Sequence, residues 1–82
     1  MSLADRFVAF AEAGNQQRLV LQSGAVLQGW IMEITEDSLL ISTGAGETGK
    51  DNWVQLSEID LSSLAYWDTR LQSWQSFTLP PG

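Results

Sequence analysis

The chain predicts a mainly β fold: an N-terminal α-helix followed by a five-stranded, strongly bent antiparallel barrel. Three observations point there. Between Gln17 and Leu61, short runs of Leu, Val and Ile are separated by clusters of Gly, Ser, Asn and Asp, the pattern of strands in a meander. Ahead of them, Leu3, Phe7, Phe10 and Ala11 recur at helical spacing on one face. Within the longest apolar run sits a single glycine, Gly29, where a sheet can bend sharply and curl on itself.

The helix is expected over residues 3–13. Ser2 stands three positions before Asp5, a capping-box arrangement in which each side chain satisfies a backbone N–H left over at the helix start. Gly14 and Asn15 supply the left-handed stop. Its apolar face is expected to cover the strands, and the scarcity of Lys and Arg argues against a membrane-surface role. The barrel is expected over residues 17–67. The first strand spans 17–22 and ends at the turn pair Ser23-Gly24. The second spans 25–35, with Leu27, Gly29 and Ile31 on one parity and Val26, Trp30, Met32 and Ile34 on the other. Both parities are apolar, so both faces are expected to be covered. Glu36-Asp37 turns into a third strand over 38–43, a fourth covers 52–56, and Ser57-Glu58 leads to a fifth over 59–67.

Residues 68–82 read as a C-terminal tail. Asp68 is expected to cap a short helical segment in which Trp67, Leu71 and Trp74 fall at i, i+4 and i+7. The aromatics Tyr66, Trp67, Trp74 and Phe77 suggest base stacking only if cations are interleaved with them, and Arg70 alone is near in sequence. Packing on the barrel or on a neighbouring subunit is the expected role.

Eighty-two residues make one domain. A chain this short buries only about 60% of the surface its unfolded form exposes, so it gains from oligomerising. It contains no cysteine and no histidine, which removes disulfides, a thiol nucleophile, the commonest general base and the commonest metal ligand. Neither a metal nor any other cofactor is implied. Adjacent carboxylates at Glu36-Asp37 are the pattern of a solvated turn, and the chain does not read as an enzyme. The first helix carries Asp5, Arg6 and Glu12, too polar and too short for a signal peptide or membrane span, so a soluble cytoplasmic protein is expected. Ten carboxylates against Arg6, Arg18, Lys50 and Arg70 give a net charge of −6. That balance opposes broad nucleic-acid binding while leaving room for a restricted site. The segment from Gly44 to Lys50 fits the glycine and lysine spacing of a phosphate-binding loop. Asp51 follows the lysine where Ser or Thr would hold magnesium, and Asn52-Trp53-Val54 reads as strand where a helix should begin. Nucleotide binding there is not expected.

The order of parts, with Leu21-x-x-Gly24-x-x-Leu27-Gln28-Gly29-x-Ile31, an apolar third strand, and then Val54 and Ile59, resembles the Sm-like family of SH3-like barrels, its bacterial Hfq branch most of all. The resemblance covers residues 2–66. It implies a bent second strand and a homo-oligomeric ring in which the fourth strand of one subunit pairs with the fifth of the next. Trp53, Val54, Leu61, Leu64 and Tyr66 are accordingly expected at the seam. It also implies single-stranded RNA binding, of the RNA-chaperone or RNA-metabolism kind, at the turn after the second strand and the turn after the fourth. Those places hold Thr35, Glu36 and Asp37, and then Gln55, Leu56 and Ser57, where Hfq has a Tyr-Lys-His stretch. The family's aromatic, cation and imidazole are absent, so the usual uridine pocket is degenerate. Arg6 and Arg18 remain as candidate phosphate contacts beside Asp37, Gln55 and Ser57. The other reading is an acidic ring that acts as a protein-interaction or structural scaffold.

Overall fold

The helix begins as its cap dictates. The Ser2 hydroxyl accepts from the Asp5 N–H (3.1 Å) while the Asp5 carboxylate accepts from the Ser2 N–H (3.3 Å). In the computed structural model, which describes residues 2–44 and 50–81, α1 (Leu3–Ala11) is followed by β1 (Gln17–Val20), β2 (Val26–Ile34), β3 (Ser38–Thr43), β4 (Lys50–Gln55), 3-10 turns at Leu56–Glu58 and Leu61–Ser63, then β5 (Ala65–Asp68) and β6 (Ser73–Ser76). The fold is mainly β, with the helix at the N-terminus. Segment 45–49, most of the phosphate-loop look-alike, lies outside the described residues; Lys50 opens a strand, not a helix.

The six strands form one antiparallel sheet in the order β4-β3-β2-β1-β5-β6. The expectation of a closed five-stranded barrel is therefore corrected: among the described residues there are six strands, the sheet is open, and its edges are β4 and β6. Alternation turns Gln17 and Leu19 of β1, Leu39 and Ile41 of β3, and Val54 of β4 toward one side, where Phe7 and Phe10 of α1 close over them. Leu56, Ile59, Leu64 and Leu79 complete this core.

The helix ends at Ala11 with Glu12 as its C-cap, short of the expected limit at residue 13. Gly14, at φ +63°, turns the chain beyond it, and the Asn15 N–H donates to the Trp67 carbonyl (3.0 Å), which ties the connection to β5. A Cβ on Gly29 would overlap the Ser42 carbonyl oxygen, because the β3 main chain crosses where a side chain would stand. The bulge itself lies further on, between Ile31 and Glu33, leaving Met32 unopposed. By switching parity there, β2 packs both Ile31 and Ile34 against the core. Val26 and Met32 are exposed, so β2 is not covered on both faces as its composition implied.

The fifth strand is shorter than expected. Ile59 makes only a bridge to Leu21, and the chain then turns through Leu61–Ser63 before pairing resumes at Ala65. Ser63 fills the gap: its hydroxyl accepts from the Val20 N–H (2.9 Å) and donates to the Asp60 carbonyl (2.6 Å). The expected helical segment after Asp68 is a β-hairpin. Trp67 and Trp74 sit opposite each other across β5 and β6, with ring centroids 5.5 Å apart and planes at 69°. Asp68 still caps backbone N–H groups, those of Arg70 (2.9 Å) and Leu71 (3.0 Å), but in the hairpin turn, where Gln72 takes φ +54°. Cross-strand aromatic pairing favours this arrangement, since a single helical turn has little stability of its own. Beyond β6, Leu79 enters the core and the Arg6 Nε donates to the Pro80 carbonyl (2.6 Å). No helix among the described residues is long and apolar enough to cross a membrane.

Candidate nucleic-acid interface

The residues expected to carry binding separate into two places. The first is where the β2–β3 turn meets the end of β4. Thr35 and Ser38 close the turn, with the Ser38 N–H donating to the Thr35 hydroxyl (3.1 Å) and the Thr35 N–H to the Ser38 carbonyl (2.8 Å). Asp37 projects from it; its carboxylate accepts from the Ser38 hydroxyl (3.2 Å). The Asp37 carbonyl accepts from the Leu56 N–H (2.9 Å), and Ser38 stands opposite Gln55 in the β3–β4 register. Asp37, Gln55 and Ser57 are thus brought to one exposed corner, with Leu56 between the last two turned into the core. The corner offers a carboxylate, a carboxamide and a hydroxyl, with no aromatic or cation among its own residues.

Arg6 is not part of it. Its guanidinium is engaged with the C-terminal segment through Pro80. Arg18 is not part of it either. Because Gln17 and Leu19 point into the core, Arg18 projects from the opposite face of β1. It stands opposite Gln28 of β2, and its guanidinium carbon lies 5.2 Å from the centroid of the Trp74 ring.

This second place is an open cleft of about 250 Å³ lined by Asn15, Gln16, Gln28, Trp67 and Trp74. The Trp67 N–H donates to the Gln16 carbonyl (2.9 Å), so the turn after α1 and the hairpin are joined at its wall. The four late aromatics are divided between the two faces. Tyr66 and Phe77 pair edge-on at 6.2 Å and Phe77 packs on Phe10, whereas Trp67 and Trp74 border the cleft. Sequence proximity pointed only to Arg70 as their cation; the cation that meets them comes from β1. Its meeting with Trp74 depends on β6, the strand laid against β5.

Among the residues expected at a subunit seam, Val54 and Leu64 lie in the chain's own core, and Tyr66 is half-buried against Phe77. Trp53 on the edge strand β4 is 56% exposed, and Leu61 on its 3-10 turn is 41% exposed. The outer edge of β5 is occupied by β6 of the same chain. One further carboxylate is tuned: Asp60 accepts from the Ser62 hydroxyl (2.6 Å) and the Ser62 N–H (3.0 Å), bonds that hold its carboxyl below the usual carboxylate range. No protein-family model, curated protein or solved structure matches this chain.

Proposed function

We propose that the chain is an Sm-like β-domain that assembles with copies of itself and binds single-stranded RNA, with the family's uridine pocket degenerate. The observation that carries this reading is the corner joined by the Leu56-to-Asp37 hydrogen bond, which sets side by side the two turns that the resemblance assigns to RNA. The consecutive order β4-β3-β2-β1-β5 supports it, since it leaves the fourth and fifth strands at opposite ends of that five-stranded run. With β6 laid against β5, the edges left for neighbouring copies are β4 and β6, so the assembly contact runs between those two strands. The domain binds; it does not catalyse.

A second reading, an acidic protein-interaction scaffold, is favoured by the net charge of −6 and by the exposed Trp53 on an open edge. Fluorescence anisotropy with labelled uridine-rich and adenine-rich hexanucleotides separates the two. Specific binding that weakens in the Asp37→Ala, Gln55→Ala double variant supports the RNA reading. Absence of binding to either strand at low salt overturns it in favour of the scaffold.

A further inference from the structure

We infer that the cleft between the α1–β1 turn and the β5–β6 hairpin is a separate binding site for one unstacked nucleobase bearing a phosphate, as a mononucleotide or as one unit of a strand. For its strand form it rests on the single-strand reading above, but it uses different residues.

The cleft combines the three kinds of group that such a ligand needs. Trp67 and Trp74 border it with indole surface, and any base has a π-face that stacks on an aromatic ring or on a guanidinium plane. Asn15, Gln16 and Gln28 contribute carboxamides, each presenting a donor and an acceptor together. A base edge carries donors and acceptors at comparable spacing, whereas an aliphatic ligand would leave these groups unpaired. Arg18, held over Trp74 and opposite Gln28, supplies one positive charge beside them.

Size and charge then limit the ligand. At about 250 Å³ the cleft falls below the roughly 300–1,000 Å³ of pockets for drug-sized molecules, and accommodates one ring system. The one cation placed against its lining, Arg18 over Trp74, on a chain of net charge −6, suits one phosphate and not a long backbone. Affinity is therefore expected to fall only gently with salt, with a slope of about −0.7 on logarithmic axes, the value for one neutralised phosphate of a single strand.

The test is a titration of the ¹⁵N-labelled full chain with each of the four ribonucleoside monophosphates, with inorganic phosphate, and with uridine-rich and adenine-rich hexanucleotides. The expected result is selective shifts of the Trp67 and Trp74 indole N–H signals and of the Asn15, Gln16 and Gln28 side-chain amides. Phosphate alone should leave the indoles unmoved. Gln28→Ala and Arg18→Gln, both away from the core, should each weaken binding by about tenfold, the first through a lost hydrogen bond to the base edge and the second through a lost charge beside the phosphate. Hexanucleotides that shift only the Asp37, Gln55 and Ser57 signals would overturn the cleft while leaving the RNA reading intact. Mononucleotides that occupy the cleft without any strand binding would uphold the cleft and overturn the RNA reading. No shift at the cleft with any nucleotide or strand overturns the inference.

Discussion

Replacing Gly29 by alanine sets two effects of opposite sign against each other. Glycine inside a strand is destabilising by about 0.5–1 kcal/mol relative to alanine, so propensity alone makes Gly29→Ala a stabilising change. Sterics oppose it. The new methyl would overlap the Ser42 carbonyl oxygen and lie 2.9 Å from the Ser42 carbonyl carbon and 3.1 Å from the Thr43 Cα. Optimal carbon–carbon contact is about 3.5–4.0 Å. The obstruction is the main chain of the neighbouring strand β3, so no rotamer change relieves it. Overpacking of this kind costs about 1–3 kcal/mol, and the upper end applies where backbone must move. Sterics win by about 2 kcal/mol. Against a total stability of about 4–12 kcal/mol for a chain of this length, that is a large fraction. Each kcal/mol lowers Tm by about 4–8 °C in domains of this size, giving a fall of about 8–16 °C. Thermal and urea unfolding followed by tryptophan fluorescence measure it. A Tm equal to or above that of the parent chain would refute the assigned close approach of β3 to Gly29.

Three other changes probe separate parts of the structure. Leu79→Ala, which empties a core position, should cost about 2–5 kcal/mol in urea unfolding, whereas Leu71→Ala on the exposed hairpin turn should stay within about 0.5 kcal/mol. Equal effects would mean that the C-terminal segment does not dock. Gln17→Leu removes the side-chain bonds to the Ala13 carbonyl (2.6 Å) and from the Ile31 N–H (3.3 Å), leaving two main-chain groups unpaired. A loss of about 2 kcal/mol and faster hydrogen exchange at Ile31 are expected, and unchanged exchange there would count against this link between helix and sheet. Asp60 has its folded pKa depressed by the Ser62 hydroxyl first and the Ser62 N–H second. Its contribution is therefore present above the unfolded pKa of about 4 and is lost as pH falls through the lower folded value. The stability gap between parent and Asp60→Asn should narrow from pH 6 to pH 2, and a gap independent of pH would remove Asp60 from the acid limb.

Legibility in the sequence followed how local the determining chemistry was. The Ser2–Asp5 cap and the helix face of Leu3, Phe7 and Phe10 are contained within a few residues and appear as read, whereas the helix ends at Ala11, two residues before the expected limit at Ala13. The limits of β3 were legible for the same reason, since alternation and flanking turns sit side by side. The hairpin β5–β6 was not, because Trp67, Leu71 and Trp74 satisfy helical spacing while Trp67 and Trp74 also fall opposite each other around a four-residue turn. Asp68 suits either outcome, since it caps backbone N–H groups in both. The Met32 bulge carries no Gly or Asn to announce it, and only the need to bury both Ile31 and Ile34 accounts for it. The corner of Asp37, Gln55 and Ser57 was reachable through resemblance. The cleft was not, because Arg18 and Trp74 meet through strand order, and the final strand of that order had been read as helix.

Native mass spectrometry of the full chain, with and without a uridine-rich or adenine-rich hexanucleotide, weighs the proposed assembly and its ligand in one spectrum. A closed set of identical subunits that retains the oligonucleotide is the expected result. A lone subunit at micromolar concentration that carries no nucleic acid at low salt would contradict it.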